Sequence, residues 1–309
     1  MDIPVIMKKK IIIYSLTGRG LFSELSNLVL AVVYAKYNDE ELIVNTRNWN
    51  ARVEKGWRDY FESTLPDSNS LICSQYRIYT KEKPWWGNIY YNPSAFFRHY
   101  AFYMMNRIFL LFHPDTELGD DVFMKMRSKE FVGKYEDVRN EYSLELKRVL
   151  KFNLKTINYI QNEKNKLNLP EYYIGVHIRR GDKIASCEME EVSLTKYVDA
   201  IKDKRHISHN VFIATDDVSV IDGLRSALDK DGFSVYWNTA VVQNGFDESL
   251  FNNKDKRSRY IDTLNMFLDM DILAHSLFFI GTYTSNVSRI VPLYIGFEKS
   301  LSLDEGWKI

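Results

Sequence analysis

Cysteine is nearly absent from this sequence. Two occur among 309 residues, Cys73 and Cys187. That is too few for a disulfide framework and leaves no short-spaced pair for a structural metal, so a reducing, cytoplasmic setting is expected. No run approaches the roughly 18 to 20 apolar residues that span a bilayer, and Leu28 to Tyr37 is flanked by polar residues on both sides, so no transmembrane segment is expected. Three lysines precede Ile11-Ile12-Ile13, but this apolar run is short and passes into Thr17-Gly18-Arg19-Gly20, which reads as a first strand and turn rather than a leader. An excess of either charge is also missing, because 41 Lys and Arg balance 41 Asp and Glu. With no global field to draw the molecule to nucleic acid, any anionic ligand must be held locally, and nucleic acid is not expected as a partner.

What is present is a chain that is 45% hydrophobic and 14% aromatic, enough at this length to bury a large core in two domains. Lys10 to Ser15 reads as a buried strand, and Leu21, Leu25, Leu28 and Val32 recur at helical spacing after the glycine turn. Glu41 to Thr46 is a second strand, and an aromatic belt from Trp85 to Phe112 reads as helical from Pro93 onward. Residues 142–167 form one charged amphipathic stretch ended by Asn168-Leu169-Pro170, which sets the expected domains at 1–168 and 169–309. Beyond Pro170 strands and helices alternate: strand 172–178, helix 195–203, strand 211–215, helix 217–229, strand 234–236, helix 259–275, strand 277–281. Residues 243–259 read as a polar mobile loop. The fold class is α/β, and in a doubly wound parallel sheet ligands sit at the carboxyl ends of the strands.

The residues at those ends carry chemistry. Gly175-Val176-His177-Ile178-Arg179-Arg180-Gly181-Asp182-Lys183 ends a strand in paired guanidiniums, whose fixed forks of donors match phosphate oxygens. A surface salt-bridge cluster is the bland alternative, and the strand-end position speaks against it. Ser285 follows another strand and opens a helix, where a hydroxyl, unpaired amides and the helix dipole favour phosphate, although an ordinary N-cap serine looks the same. Asp262, Asn265 and Asp269 form a polar line beside the apolar Ile261, Leu264, Leu268 and Ile272. Asp269-Met270-Asp271 has the Asp-x-Asp form of a metal-binding pair, but alternate helical residues diverge by about 200 degrees, and no metal is expected. His206 and His209 lack further ligands nearby and read as surface histidines.

These segments resemble the α1,6-fucosyltransferase family. The stretch 177–183 is similar to its His-Val-Arg-Arg-Thr-Asp-Lys signature, with Gly181 in place of threonine. Ala214-Thr215-Asp216-Asp217, Leu268-Asp269 and Thr282-Tyr283-Thr284-Ser285-Asn286-Val287-Ser288-Arg289 follow in the family's order, the last similar to Thr-Phe-Ser-Ser-Gln-Val-Cys-Arg. Upstream, Arg47-Asn48-Trp49 and Gly56-Trp57 resemble the family's Asn-Trp and Gly-Trp segments, and Gly18-Arg19-Gly20 sits at its glycine-rich turn.

The resemblance implies a GT-B-type enzyme with two facing Rossmann-like α/β domains, the C-terminal one binding the nucleotide. It implies inverting, metal-independent transfer of L-fucose from GDP-fucose to a hydroxyl, O6, of a glycan acceptor, with no cofactor beyond that co-substrate. Arg179 would hold the β-phosphate and His177 and Asp269 the guanine. Gly18, Gly20, Asp216, Thr284, Ser285 and Asn286 would complete the donor site. Arg180, Asp182, Lys183 and Asp217 would shape the reaction centre. Glu188, aligned only if one residue is inserted, would serve as base, its pKa raised by burial, and the same shift brings Tyr197 to the substrate. Trp85 and Trp86 could stack on sugar faces, with core packing as the alternative. Rival readings are α1,2 transfer, another GDP-sugar, and a non-catalytic nucleotide-sugar or glycan-binding protein.

Overall fold

Two compact units, Met1–Lys151 and Phe152–Ile309, make up the chain. The computed structural model describes residues 9–71, 73, 93–134, 138–181, 190–240 and 245–307.

The first unit is built on a parallel sheet of order β3-β2-β1-β4. In chain order its elements are β1 (Ile11–Ser15), α1 (Leu21–Tyr37), β2 (Glu41–Asn45), β3 (Asp67–Ser68), α2 (Pro93–Phe112), β4 (Thr116–Leu118), α3 (Gly119–Met126), α4 (Lys129–Lys134) and α5 (Val138–Val149). Helix α1 is apolar on nearly every side, and Leu25, Leu28, Val29 and Val33 are fully buried, each contributing about 1.5–3 kcal/mol by leaving water. The Gly56-Trp57 segment supplies a second nucleus. Trp57 stacks on Phe61 with ring centroids 4.4 Å apart. Gly56 adopts φ +69°, and a Cβ there would lie 2.0 Å from Thr46 Oγ1, so only glycine fits.

The second unit carries a five-stranded parallel sheet of order β7-β6-β5-β8-β9. Its elements are α6 (Leu154–Leu167), β5 (Ile174–Ile178), α7 (Leu194–Asp203), β6 (Asn210–Thr215), α8 (Ser219–Leu228), β7 (Ser234–Trp237), α9 (Glu248–Asn253), α10 (Lys256–Ala274), β8 (Phe278–Gly281), α11 (Asn286–Ile295) and β9 (Ser300–Ser302). All of β5 is buried, as a central strand covered on both faces requires. The core joins Val176, Ile178, Ile213, Leu224 and Ile280.

Three expectations change. The amphipathic stretch 142–167 is two helices, because Asn153 accepts a capping bond from Thr156 N at 2.9 Å and starts α6 afresh. Helix α6 then packs with the second unit, through Tyr159 Oη to Asn265 Oδ1 at 3.0 Å and Lys164 to Asp271 at 3.0 Å. The division therefore falls at 151/152 rather than 168/169. The described part of the 243–259 loop contains α9 and the start of α10, each opened by a capping aspartate, Asp247 to Leu250 N and Asp255 to Arg257 N, both at 2.9 Å.

Candidate active site

The order of the second sheet puts the ends of β7, β6, β5 and β8 side by side, so the segments after them share one edge. Strand β5 delivers His177 and then Arg179, Arg180 and Gly181; β6 delivers Asp216 and Asp217; β7 delivers Asn238; β8 delivers residues 282–285.

Asp216 organises the centre of this edge. Its Oδ2 lies 3.0 Å from Arg179 Nη1. Its two oxygens also accept from Arg180 N at 2.8 Å, Gly181 N at 2.9 Å and Phe246 N at 3.1 Å. A carboxylate so supplied with donors is a clamp: it fixes the turn after β5 and orients the guanidinium. Arg180 is committed locally, donating from Nη2 to Val192 O at 2.8 Å with Glu191 at 3.4 Å. Asp217 lies just before α8, its Oδ1 accepting from Ser219 N at 2.9 Å.

His177 is buried, with Nδ1 2.9 Å from Ser288 Oγ of α11. Burial and the neighbouring Arg179 charge lower its pKa to about 4 against an opposing pull from Asp216, so the ring is neutral at pH 7. Beside the ends of β6 and β7, Thr215, Trp237, Asn238 and Asp269 line one small cleft. Burial raises the Asp269 carboxyl to about 7, with a single hydrogen bond from Asn238 opposing it. The carboxylates of the Asp-x-Asp pair diverge: Asp269 faces Asn238 and Asp271 faces Lys164.

Ser285 stands at the N-cap of α11, 3% exposed, and its hydroxyl makes no bond to the helix's first amides. The turn before it is held by Asp304, which accepts from Tyr283 N, Thr284 N and Thr284 Oγ1 at 2.6, 3.1 and 2.6 Å. Asn286 begins the helix.

The sequence-derived residues thus separate into groups. Arg179, His177, Asp216, Asp217, Thr284, Ser285 and Asn286 share the strand-end edge, and Asp269 joins it from α10. Tyr197, expected at the substrate, is 1% exposed among core residues, and burial raises its hydroxyl to about 12 against opposing effects of Arg180 and Thr282. It belongs to one buried cluster with Ile178, Val198, Ile201 and Leu224. Gly18 and Gly20 lie at the carboxyl end of β1 in the first unit, where Gly20 precedes α1 and buried Glu24 accepts from Thr17 N. Trp85, Trp86, Asp182, Lys183 and Glu188 fall outside the described residues. Sequence reasoning missed Asn238, Ser288, Asp304 and Phe246. The strand-end rule would have found Asn238 and Asp304, whereas nothing local marks Phe246.

A family model described as alpha-(1,6)-fucosyltransferase N- and catalytic domains matches residues 143–294. Among solved structures, the chain is similar to NodZ alpha-1,6-fucosyltransferase soaked with GDP-fucose, at 18% identity and TM-score 0.54, over 93% of both chains. It is likewise similar to NodZ from Bradyrhizobium, at 18% identity and TM-score 0.54 over 94% of both chains. POFUT1 in complex with GDP matches at 12% identity and TM-score 0.57, over 95% of this chain and 98% of that one. No curated protein sequence matches. The fold is that of these structures, α/β of the GT-B type with a Rossmann-like parallel sheet in each unit.

Proposed function

We propose that this α1,6-fucosyltransferase-like chain is a GDP-fucose-dependent glycosyltransferase whose second unit binds the donor. The observation that carries the reading is the placement, after the adjacent strands β5 and β8, of an oriented guanidinium, Arg179 held by Asp216, and of the cap hydroxyl of Ser285, which makes no bond to the amides of its helix. A diphosphate offers oxygens to both, and the first turn of α11 adds its dipole. Neutral His177 and the acid Asp269 supply groups suited to a purine edge, the carboxylate accepting from the ring N–H and amino group of guanine.

The chemistry is an inverting displacement without metal. An acceptor hydroxyl, O6 of a glycan sugar, attacks the anomeric carbon from the face opposite GDP. The bond to the β-phosphate oxygen breaks, GDP departs with the electron pair, and the hydroxyl proton passes to a carboxylate, for which Glu188 is the family-aligned position. Arg179 and the α11 terminus stabilise the charge growing on the diphosphate, the largest single contribution in such reactions. Asp182, Lys183 and Asp217 belong to the reaction centre in this reading, and Trp85 and Trp86 to the acceptor side. Tyr197 and Asp216 act from beneath, by packing and by orienting Arg179.

The test is turnover of GDP-fucose with chitooligosaccharide and N-glycan acceptors, reading GDP release and product linkage. Arg179→Ala should lower the rate on the order of 100-fold or more. Undiminished turnover in that variant removes the assignment, and a product linked elsewhere than O6 removes the linkage.

A further inference from the structure

Gly181 departs from the threonine of the resembling signature, and the structure supplies a reason. A Cβ built at position 181 would lie 2.3 Å from Phe246 N and 2.4 Å from Phe246 O. The backbone of residues 245–246 occupies the space a side chain would need. Gly245 sits at φ +95°, a conformation open mainly to glycine, and a Cβ there would meet Gly181 Cα at 2.9 Å. The two backbones touch, and both partners are tied to Asp216. Gly245 N donates to its carbonyl at 2.8 Å, while Phe246 N and Gly181 N donate to its carboxylate. This contact brings the Phe246 ring to Arg179, whose guanidinium carbon is 5.1 Å from the ring centroid.

We infer that Phe246 is a positioning residue for Arg179, its ring fixing the plane of the guanidinium that meets the donor diphosphate, and that Gly181 is the vacancy that admits it. The inference rests on the donor-binding reading of Arg179. Asp216 meets the guanidinium at 3.0 Å and the Phe246 ring lies under its central carbon, so the two contacts bear on different motions of the group. A guanidinium held in one plane loses less freedom when it grips phosphate, and a stacked cation is stabilised by the ring's negative face.

Titration calorimetry with GDP tests this on the full chain. Phe246→Leu keeps an apolar side chain of similar size and removes the ring, so GDP affinity should fall about 3- to 30-fold, the range of a cation–π contact. Phe246→Tyr should retain affinity within about twofold, because the ring remains. Gly181→Ala reaches the same contact by another route, pushing residues 245–246 off, and should reproduce the loss if Phe246→Leu folds poorly. Wild-type affinity in Phe246→Leu with Arg179→Ala defective overturns the positioning role, as does equal loss in the Leu and Tyr variants. Undiminished GDP binding by Arg179→Ala defeats the donor-site reading itself, and the inference with it.

Discussion

Asn238 donates from Nδ2 to Asp269 Oδ1 at 3.2 Å, joining the end of β7 to the middle of α10. Among the described residues, this neutral amide is the side-chain donor set against the desolvation that lifts Asp269 to about 7. In the proposed donor site guanine turns its ring N–H and amino group to that carboxylate, and such binding requires the ionised form. GDP affinity should therefore weaken as pH falls below about 7, by up to roughly tenfold per pH unit, the limit for one linked proton. Asp269→Asn should bind weakly at every pH and lose this slope. A flat affinity profile from pH 5 to 8 in the wild type would detach Asp269 from the base.

Ser285 separates a binding role from a capping role. Removing an ordinary serine cap costs about 1 kcal/mol. Here the hydroxyl makes no capping bond, so Ser285→Ala should change unfolding free energy by no more than about 0.5 kcal/mol while raising KM for GDP-fucose. A drop in Tm with KM unchanged would return Ser285 to a structural cap.

Asp216→Asn is a severe change despite equal size. The carboxylate faces donors only: the Arg179 guanidinium and the amides of 180, 181 and 246. An amide in its place turns an NH2 toward some of them and removes the opposite charge 3.0 Å from a partly buried guanidinium, costing about 3 kcal/mol. Thermal unfolding and GDP titration should register both losses together. Either loss without the other would mean that Arg179 does not depend on Asp216.

The parts legible in the sequence are those whose signal is local. Strands β5, β6 and β8 read as short apolar runs because both their faces are covered, and Arg179, Ser285 and Asp216 follow them directly. The break between α5 and α6 was hidden because Leu146, Val149, Leu150 and Leu154 keep helical spacing across it, and Asn153 alone marks the new start. Strands β3 and β9, of two and three residues, are too short to carry a period. The burial of Tyr197 was not legible either, because alignment places a residue along the chain without saying which way it faces. Phe246 was invisible for a different reason: its contact with Arg179 depends on two backbones meeting at Gly181 and Gly245, far apart in sequence.

His177 and Asp269 should oppose one another in the pH dependence of stability. The depressed His177 pKa means the folded state refuses a proton that the unfolded chain takes up near 6.5, so its contribution is lost as pH falls toward about 4. The raised Asp269 pKa works in reverse: the folded state keeps a proton that the unfolded chain releases near 3.8, so its contribution is lost as pH rises toward about 7. The two shifts are of similar size and cover nearly the same window. The wild type should then show a Tm that changes little between pH 4.5 and 6.5 on account of this pair. Asp269→Asn should become less stable as pH falls through that window, and His177→Asn more stable. Calorimetric scans of the three proteins at pH 4.5, 5.5 and 6.5 check this, and parallel slopes in all three would show that neither group titrates abnormally in the fold.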